Sequence, residues 1–125
     1  MRIIDANLNR LREGIRVIED ILRYGFNHQS FSLKLKKVRH QCRLELYFNL
    51  LETRDTSNDV LKNSIQEEQN RTNFQSIFIA NFKRAQESAR VLEEVLKLNS
   101  IQESEKFKEI RYTLYHLEKQ VLLDI

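Results

Sequence analysis

Ala6-Asn7-Leu8-Asn9-Arg10-Leu11-Arg12-Glu13-Gly14-Ile15-Arg16-Val17-Ile18-Glu19 decides the fold, because it returns 74 residues later as Ala80-Asn81-Phe82-Lys83-Arg84-Ala85-Gln86-Glu87-Ser88-Ala89-Arg90-Val91-Leu92-Glu93. Ala, Asn, Arg, Glu, Arg, Val and Glu keep identical spacing in both copies. The apolar positions drift instead, from Leu11 to Ala85 and from Ile15 to Ala89. Core packing alone would keep the apolar period and let the polar residues vary, so the repeated Asn, Arg and Glu carry a requirement of their own.

Working outward, Ile4, Leu8, Leu11, Ile15, Ile18 and Leu22 recur at steps of three and four, the stripe of a core-facing helix. Asp5 suits the N-cap or first turn of that helix, and Gly25-Phe26-Asn27 suits its end. A second helix is expected over about residues 30–51, with Leu35, Val38, Cys42, Leu46 and Leu50 inward. Residues 53–63 read as a polar connection, and 64–71 as a short helix. The repeated helix is expected over 76–98 and a last one over 103–122. In that last helix Phe107-Lys108-Glu109-Ile110-Arg111 echoes Leu35-Lys36-Lys37-Val38-Arg39 at a spacing of 72, so the duplicated unit is a helix pair. The expectation is one all-α domain over 1–125, in which repeat one (3–51) and repeat two (76–123) are pseudo-twofold-related hairpins forming a four-helix bundle, joined by an irregular segment, 52–75.

Composition agrees. There is no proline and there are two glycines, which removes the usual punctuation of strands and hairpins. Charged residues at 31% and apolar residues at 41% describe neither a disordered nor a membrane chain, and no apolar run approaches the ~20 residues of a span. The repeat begins directly after Met1, leaving no room for a signal peptide, and the expected compartment is the cytoplasm. Cys42 is the single cysteine, which excludes a disulfide and a cysteine metal site and suggests an inert thiol. His28, His40 and His116 show no metal-ligand spacing. A net charge of +3 is too weak for a dedicated nucleic-acid binder, and the basic run Lys34 to Arg43 lacks the interleaved aromatics of a single-strand platform.

At about 100° per residue, Ala6, Arg10, Glu13 and Val17 share a stripe beside the core with Asn7 at its inner edge; Ala80, Arg84, Glu87, Val91 and Asn81 repeat it. Pairs at i,i+3 on a solvated face explain one copy. Five identical polar positions in two copies fit a site or a specific buried network better. Arg16-Glu19 and Arg90-Glu93 are expected to point outward as structural pairs, while Arg39 and Arg111 each follow an apolar position and can reach the centre of the domain. No glycine-rich phosphate loop exists, so any phosphate would be held by arginine forks and helix N-termini, with Arg10 and Arg84 expected in first turns. The loop Arg54-Asp55-Thr56-Ser57-Asn58-Asp59 is a rich turn signal. Asp55 and Asp59 could hold a hydrated magnesium ion, with Glu68 and Arg71 following on a helical turn.

The duplicated runs, the loop Arg54-Asp55-Thr56-x-x-Asp59-Val60, Glu68-x-x-Arg71 and the closing Phe107-Lys108-x-x-Arg111-Tyr112-x-x-Tyr115-x-Leu117-Glu118 together resemble the small helical domain found as an N-terminal extension of some bacterial thiamine phosphate synthases. The resemblance covers essentially the whole chain. It implies an alternative hydroxymethylpyrimidine phosphate kinase: ATP-dependent phosphorylation of a pyrimidine phosphate to the diphosphate, with ATP and Mg2+ as cofactors and none if the chain is not a kinase. Under it, Asn7, Arg10, Glu13, Arg39, Arg54, Glu68, Arg71, Asn81, Arg84, Glu87 and Arg111 would bind substrate or phosphate, and Asp55 and Asp59 would be the catalytic, magnesium-binding carboxylates. Where fused relatives tend to show glycine after the Asp-Val pair, this chain has Leu61 and Lys62, and it carries no synthase barrel. The alternative is therefore a non-catalytic module that binds a pyrimidine phosphate or docks on a separate thiamine phosphate synthase. A homodimer is compatible with a helical domain of this size, and a small nucleic-acid binder is the third class.

Overall fold

The computed structural model describes residues 1–45 and 47–125, with the side chains of Tyr47, Phe48 and Glu67 outside the description. Among the described residues the chain forms α1 (Arg2–Asp20), a π-helical turn (Ile21–Gly25), α2 (Gln29–Gln41), α3 (Tyr47–Thr53), α4 (Gln66–Gln69), α5 (Phe74–Leu96) and α6 (Ile101–Asp124). It is all-α, as expected. α1 packs along α5, α5 along α6, α1 along α2, and α2 closes the ring against α6.

Local chemistry sets the ends. Asn73 caps α5 by accepting from Ser76 N–H at 2.8 Å, and Ser76 returns a bond to the Asn73 backbone, so α5 starts two residues earlier than its apolar stripe suggests. Ser100 accepts from Glu103 N–H and starts α6, in place of the expected start at Glu103. The imidazole of His28 does the same for α2 by accepting from Phe31 N–H. Asn27 takes a left-handed φ of 52° after the π-turn, a conformation asparagine tolerates.

The second expected helix is corrected: α2 ends at Gln41, and the chain turns through residues 42–45 before α3. No proline or glycine marks the break. Tertiary contacts make it: Cys42 is fully buried with its thiol on the Val38 carbonyl, Lys106 donates to the Arg43 carbonyl at 2.7 Å, and Leu50 is buried where α3 meets α1. Leu46, expected inward, lies outside the described residues. Burial pushes the Cys42 thiol up to about 12, which keeps it protonated and inert.

The α1 stripe is buried from Ile4 to Leu22, and Phe107, Ile110, Leu114, Leu117 and Val121 supply the α6 face. Each such side chain contributes roughly 1.5–3 kcal/mol of burial. The drift of the apolar positions is complementary: Leu11 and Ile15 on α1 are matched by small Ala85 and Ala89 on α5, all fully buried. At this seam the backbones come close, since a Cβ on Gly14 would lie 3.2 Å from the Asn81 carbonyl oxygen and 3.4 Å from the Ala85 methyl. Phe26, just past α1, stacks on Phe74 and Phe78 at the start of α5, with centroids 5.6 and 6.0 Å away. Together these contacts run α1 and α5 antiparallel.

Candidate functional site

The repeated polar residues separate into three groups. Asn7 and Asn81 are buried, and each donates its amide back to its own helix, to the Ile3 and Ile77 carbonyls respectively, both at 2.9 Å. That bond fixes the same rotamer in both copies and leaves each Oδ1 as an acceptor.

The second group is an interior lock. Glu19 is 1% exposed and receives Arg39 through Nε at 2.6 Å and Nη2 at 3.2 Å; Glu93 is 5% exposed and receives Arg111 at 3.1 and 2.9 Å. The expectation that Glu19 and Glu93 point outward is thus corrected. A carboxylate this buried must be paired, and the arginine of the hairpin's second helix supplies the pairing. Arg16 and Arg90 do face solvent, on Asp20 and on Glu93 and Glu94. Arg39 and Arg111 reach inward as their spacing suggested, but what they meet is the protein's own carboxylate.

Arg10, Glu13, Arg84 and Glu87 form the third group. All four are exposed, and none has a side-chain partner among the described residues: the i,i+3 pairs Arg10-Glu13 and Arg84-Glu87 are not made. Nor do the arginines lie in first turns. α1 starts at Arg2 and α5 at Phe74, placing Arg10 and Arg84 in their third turns, beyond the free N–H groups.

One copy of the stripe lies in a groove of about 700 Å³. Asn7, Arg10, Glu13 and Ala6 form its floor, and Arg54, Asp55, Thr56 and Asp59 form its wall. The wall is anchored by Asp5, 5% exposed, which accepts Arg54 Nε and Nη2 at 2.9 Å each, and by Arg2, which donates to the Asp55 carbonyl at 3.0 Å. The Arg54 guanidinium holds the Asp5 carboxyl below its ordinary range. Within the loop, the Asn58 side-chain amide (2.7 Å) and backbone N–H (3.1 Å) both donate to Asp55 and lower its pKa, and Asp59 accepts from Leu61 N–H. Leu61 needs no left-handed backbone, since Asn27 is the one described non-glycine with positive φ. The loop therefore forms without a glycine at this position.

The groove assembles Asn7, Arg10, Glu13, Arg54, Asp55 and Asp59. It does not include Asn81, Arg84 and Glu87, which lie on α5, nor Arg39 and Arg111, nor Glu68 and Arg71. Glu68 is exposed on α4, and Arg71 donates to its neighbour's carbonyl at Asn70. Asp5, Arg2 and the buried roles of Glu19 and Glu93 escaped the sequence reading. Glu19 and Glu93 carried a usable signal, because they and Arg39 and Arg111 repeat together. A smaller depression of about 320 Å³, lined by Glu19, Arg23, His28 and Lys36, lies at the first hairpin turn away from the stripe.

Two aspartates lining the wall suit a hard cation that brings its own water and phosphate oxygens rather than a protein-only cage. Among the described residues, no group of three or more His, Cys, Asp or Glu is placed to hold a metal alone. No described helix is long and apolar enough to cross a membrane.

Fold and groove define a class: an all-helical domain made of a duplicated hairpin, with one charged cleft completed by the linker between the copies. Comparison with known proteins sharpens this, since the ThiD2 family matches residues 2–120. The chain belongs to that family. It is similar to proteins named thiamine-phosphate synthase from Nostoc punctiforme (37% identical over 122 residues, 97% of this chain), Thermosynechococcus vestitus (38% over 124 residues, 98%) and Prochlorococcus marinus (39% over 124 residues, 97%). It spans 35% of the length of each of these relatives. No solved structure matches the chain.

Proposed function

We propose that the chain serves thiamine biosynthesis as a hydroxymethylpyrimidine phosphate kinase, using ATP and Mg2+. The observation that carries the proposal is the groove, which gathers Arg10 and Glu13, both without partners among the described residues, against Asp55 and Asp59. In the reaction, an oxygen of the pyrimidine's phosphate attacks the γ-phosphorus of ATP. A new P–O bond forms, the bond to the β-phosphate oxygen breaks, and ADP leaves with its electron pair.

The attacking phosphate has its second pKa near ~6 and is largely deprotonated at neutral pH, so no general base is required. That suits a groove with no histidine. Phosphoryl transfer of this kind rests on positioning and charge neutralisation. Arg10 would hold the acceptor phosphate, Asn7 and Glu13 would hydrogen-bond the pyrimidine, and Asp55 and Asp59 would hold Mg2+ through its waters. The metal, when bound, neutralises the transferred group. Arg54 and Asp5 position the wall. Purified protein given hydroxymethylpyrimidine phosphate, ATP and Mg2+ is expected to form the diphosphate and ADP in equal amounts; no product from a preparation shown to be folded sinks the proposal.

A second reading is a binding module that docks on a separately encoded synthase. It is favoured by the synthase names of the relatives. It expects co-purification with a synthase and saturable pyrimidine phosphate binding without turnover.

A further inference from the structure

The second copy of the stripe, outside the groove, is unexplained by acceptor binding. Arg84 and Glu87 are exposed and without partners among the described residues, like Arg10 and Glu13, and the Asn81 amide is set as in repeat one. A residue repeated only for packing would be packed, as Glu93 and Arg111 are.

The geometry of the seam relates the two stripes. A Cβ on Gly14 would meet Asn81 and Ala85, so these positions face one another across α1 and α5. On the helical wheel Arg10 sits roughly 40° from Gly14 and Arg84 roughly 60° from Asn81, each on the outer side. Because the antiparallel pair has its pseudo-twofold axis normal to the plane of the two helices, both arginines emerge on the same outer face. With Gly14 level with the midpoint of Asn81 and Ala85, Arg10 and Arg84 are offset along the axes by only about 4.5 Å at 1.5 Å per residue. Their backbones are separated across the seam by about 8–10 Å, an ordinary helix spacing. Two such side chains can close on one polyphosphate. Glu13 and Glu87 lie further out and make the face electrically neutral. A bare polyanion gains little there, whereas a magnesium-bound one offers phosphate oxygens to the arginines and metal-held waters to the carboxylates.

We propose that the α1–α5 seam is the phosphate-donor half-site, where Arg84 with Arg10 clasps the polyphosphate of a magnesium nucleotide and Glu87 receives the metal's waters. Arg10 belongs to both half-sites, since it also lines the acceptor groove. The duplication thus yields two quasi-equivalent half-sites, and the linker converts one into the acceptor cleft while the other stays open for the donor. This assignment rests on the kinase reading.

The test is calorimetry on the full chain with Mg2+ and adenylyl imidodiphosphate, and separately with hydroxymethylpyrimidine phosphate. Arg84→Ala is expected to weaken nucleotide binding tenfold or more, to leave pyrimidine phosphate binding within about twofold, and to raise the KM for ATP selectively. Arg84→Lys should recover part of the loss, because a point charge replaces a fork. Withholding Mg2+ should weaken nucleotide binding to wild type and make Glu87→Ala indistinguishable from it. Unchanged nucleotide affinity in Arg84→Ala, or equal loss of both ligands, overturns the half-site. If wild type makes diphosphate while Arg84→Ala keeps its KM for ATP, the half-site falls and the kinase stands. If wild type makes no diphosphate yet loses nucleotide binding through Arg84→Ala, the kinase falls and the site stands; no nucleotide binding at all removes both.

Discussion

The two hairpins use the same residues and end up differently. Both carry an Asn that bonds its own helix and a buried Glu that receives an Arg from the following helix. The charged groove of about 700 Å³ lies on the first. The positions that hold the loop to α1 are those the duplication did not keep: Arg2 and Asp5 stand where the second copy has Ser76 and Ile79, and Asn9, which donates to Asp5, stands where it has Lys83. Ser76 completes the capping box of Asn73 on α5, Ile79 is exposed, and Lys83 pairs with Glu118. The connections differ as well. The first hairpin's connection is two residues longer than its counterpart and includes a π-helical segment, and its second helix breaks at residues 42–45, whereas α6 runs unbroken. Repetition therefore marks what both halves need, and departure from it marks where one half has been specialised.

The strongest way to break this comparison is through the locks. Glu19→Ala and Glu93→Ala should each destabilise the fold by about 3–5 kcal/mol, since each strands a buried guanidinium. Denaturant melts would check it, and a large difference between the two would show that the hairpins are not equivalent inside. Next comes the seam: Gly14→Ala forces its methyl against the Asn81 carbonyl and should cost about 1–3 kcal/mol. At Ser88, the equivalent position, a Cβ is already present, so Ser88→Ala has only its hydroxyl to lose and should cost less.

Much of this was legible in the sequence. A 3.6-residue period without proline gives helices, and a repeat offset of 74 in the first helix and 72 in the second gives two hairpins whose connections differ in length. The longer connection is the first, which holds the π-turn. The break after Gln41 was not legible, because it depends on Lys106 reaching the Arg43 carbonyl from another helix, a contact with no local signature. Nor was the fate of the arginines. Arg39, Arg111 and Arg54 have the chemistry of phosphate ligands; the joint repeat of Glu19 with Arg39 and Glu93 with Arg111 was a signal for two of them, whereas nothing local marks Asp5 as the partner of Arg54.

The anchor of the loop comes next in size. Asp5→Asn weakens a buried pair whose arginine is one-third exposed, so the cost should be about 1–2 kcal/mol. Ligand binding in the groove should fall much further than stability, while Ile79→Asn, at the matching position of repeat two, should leave groove binding unchanged. The same pair predicts an acid response. Asp5 has its pKa lowered by folding, so its contribution is complete above the unfolded value near 3.8 and is lost as pH falls through the lower folded value. Stability measured downward from pH 5 should therefore fall below about pH 4 as Asp5 takes a proton, and Asp5→Asn should remove that part of the acid loss.

The smallest expected effect bears most directly on why the stripe repeats. Arg10, Glu13, Arg84 and Glu87 are exposed and without described partners, so alanine at any of them should change stability by no more than about 0.5 kcal/mol. Even Arg10→Ala with Arg84→Ala should melt like wild type. Had the stripe been retained to bind the hairpins together, the double variant would behave like Glu19→Ala in miniature, with a melting temperature lowered by several degrees and ligand affinity intact. Unchanged melting with affinity lost places the requirement outside the folded chain, in something the two stripes hold. On that outcome the stripe recurs in both halves for a ligand, and the repacked core beneath it accounts for the fold.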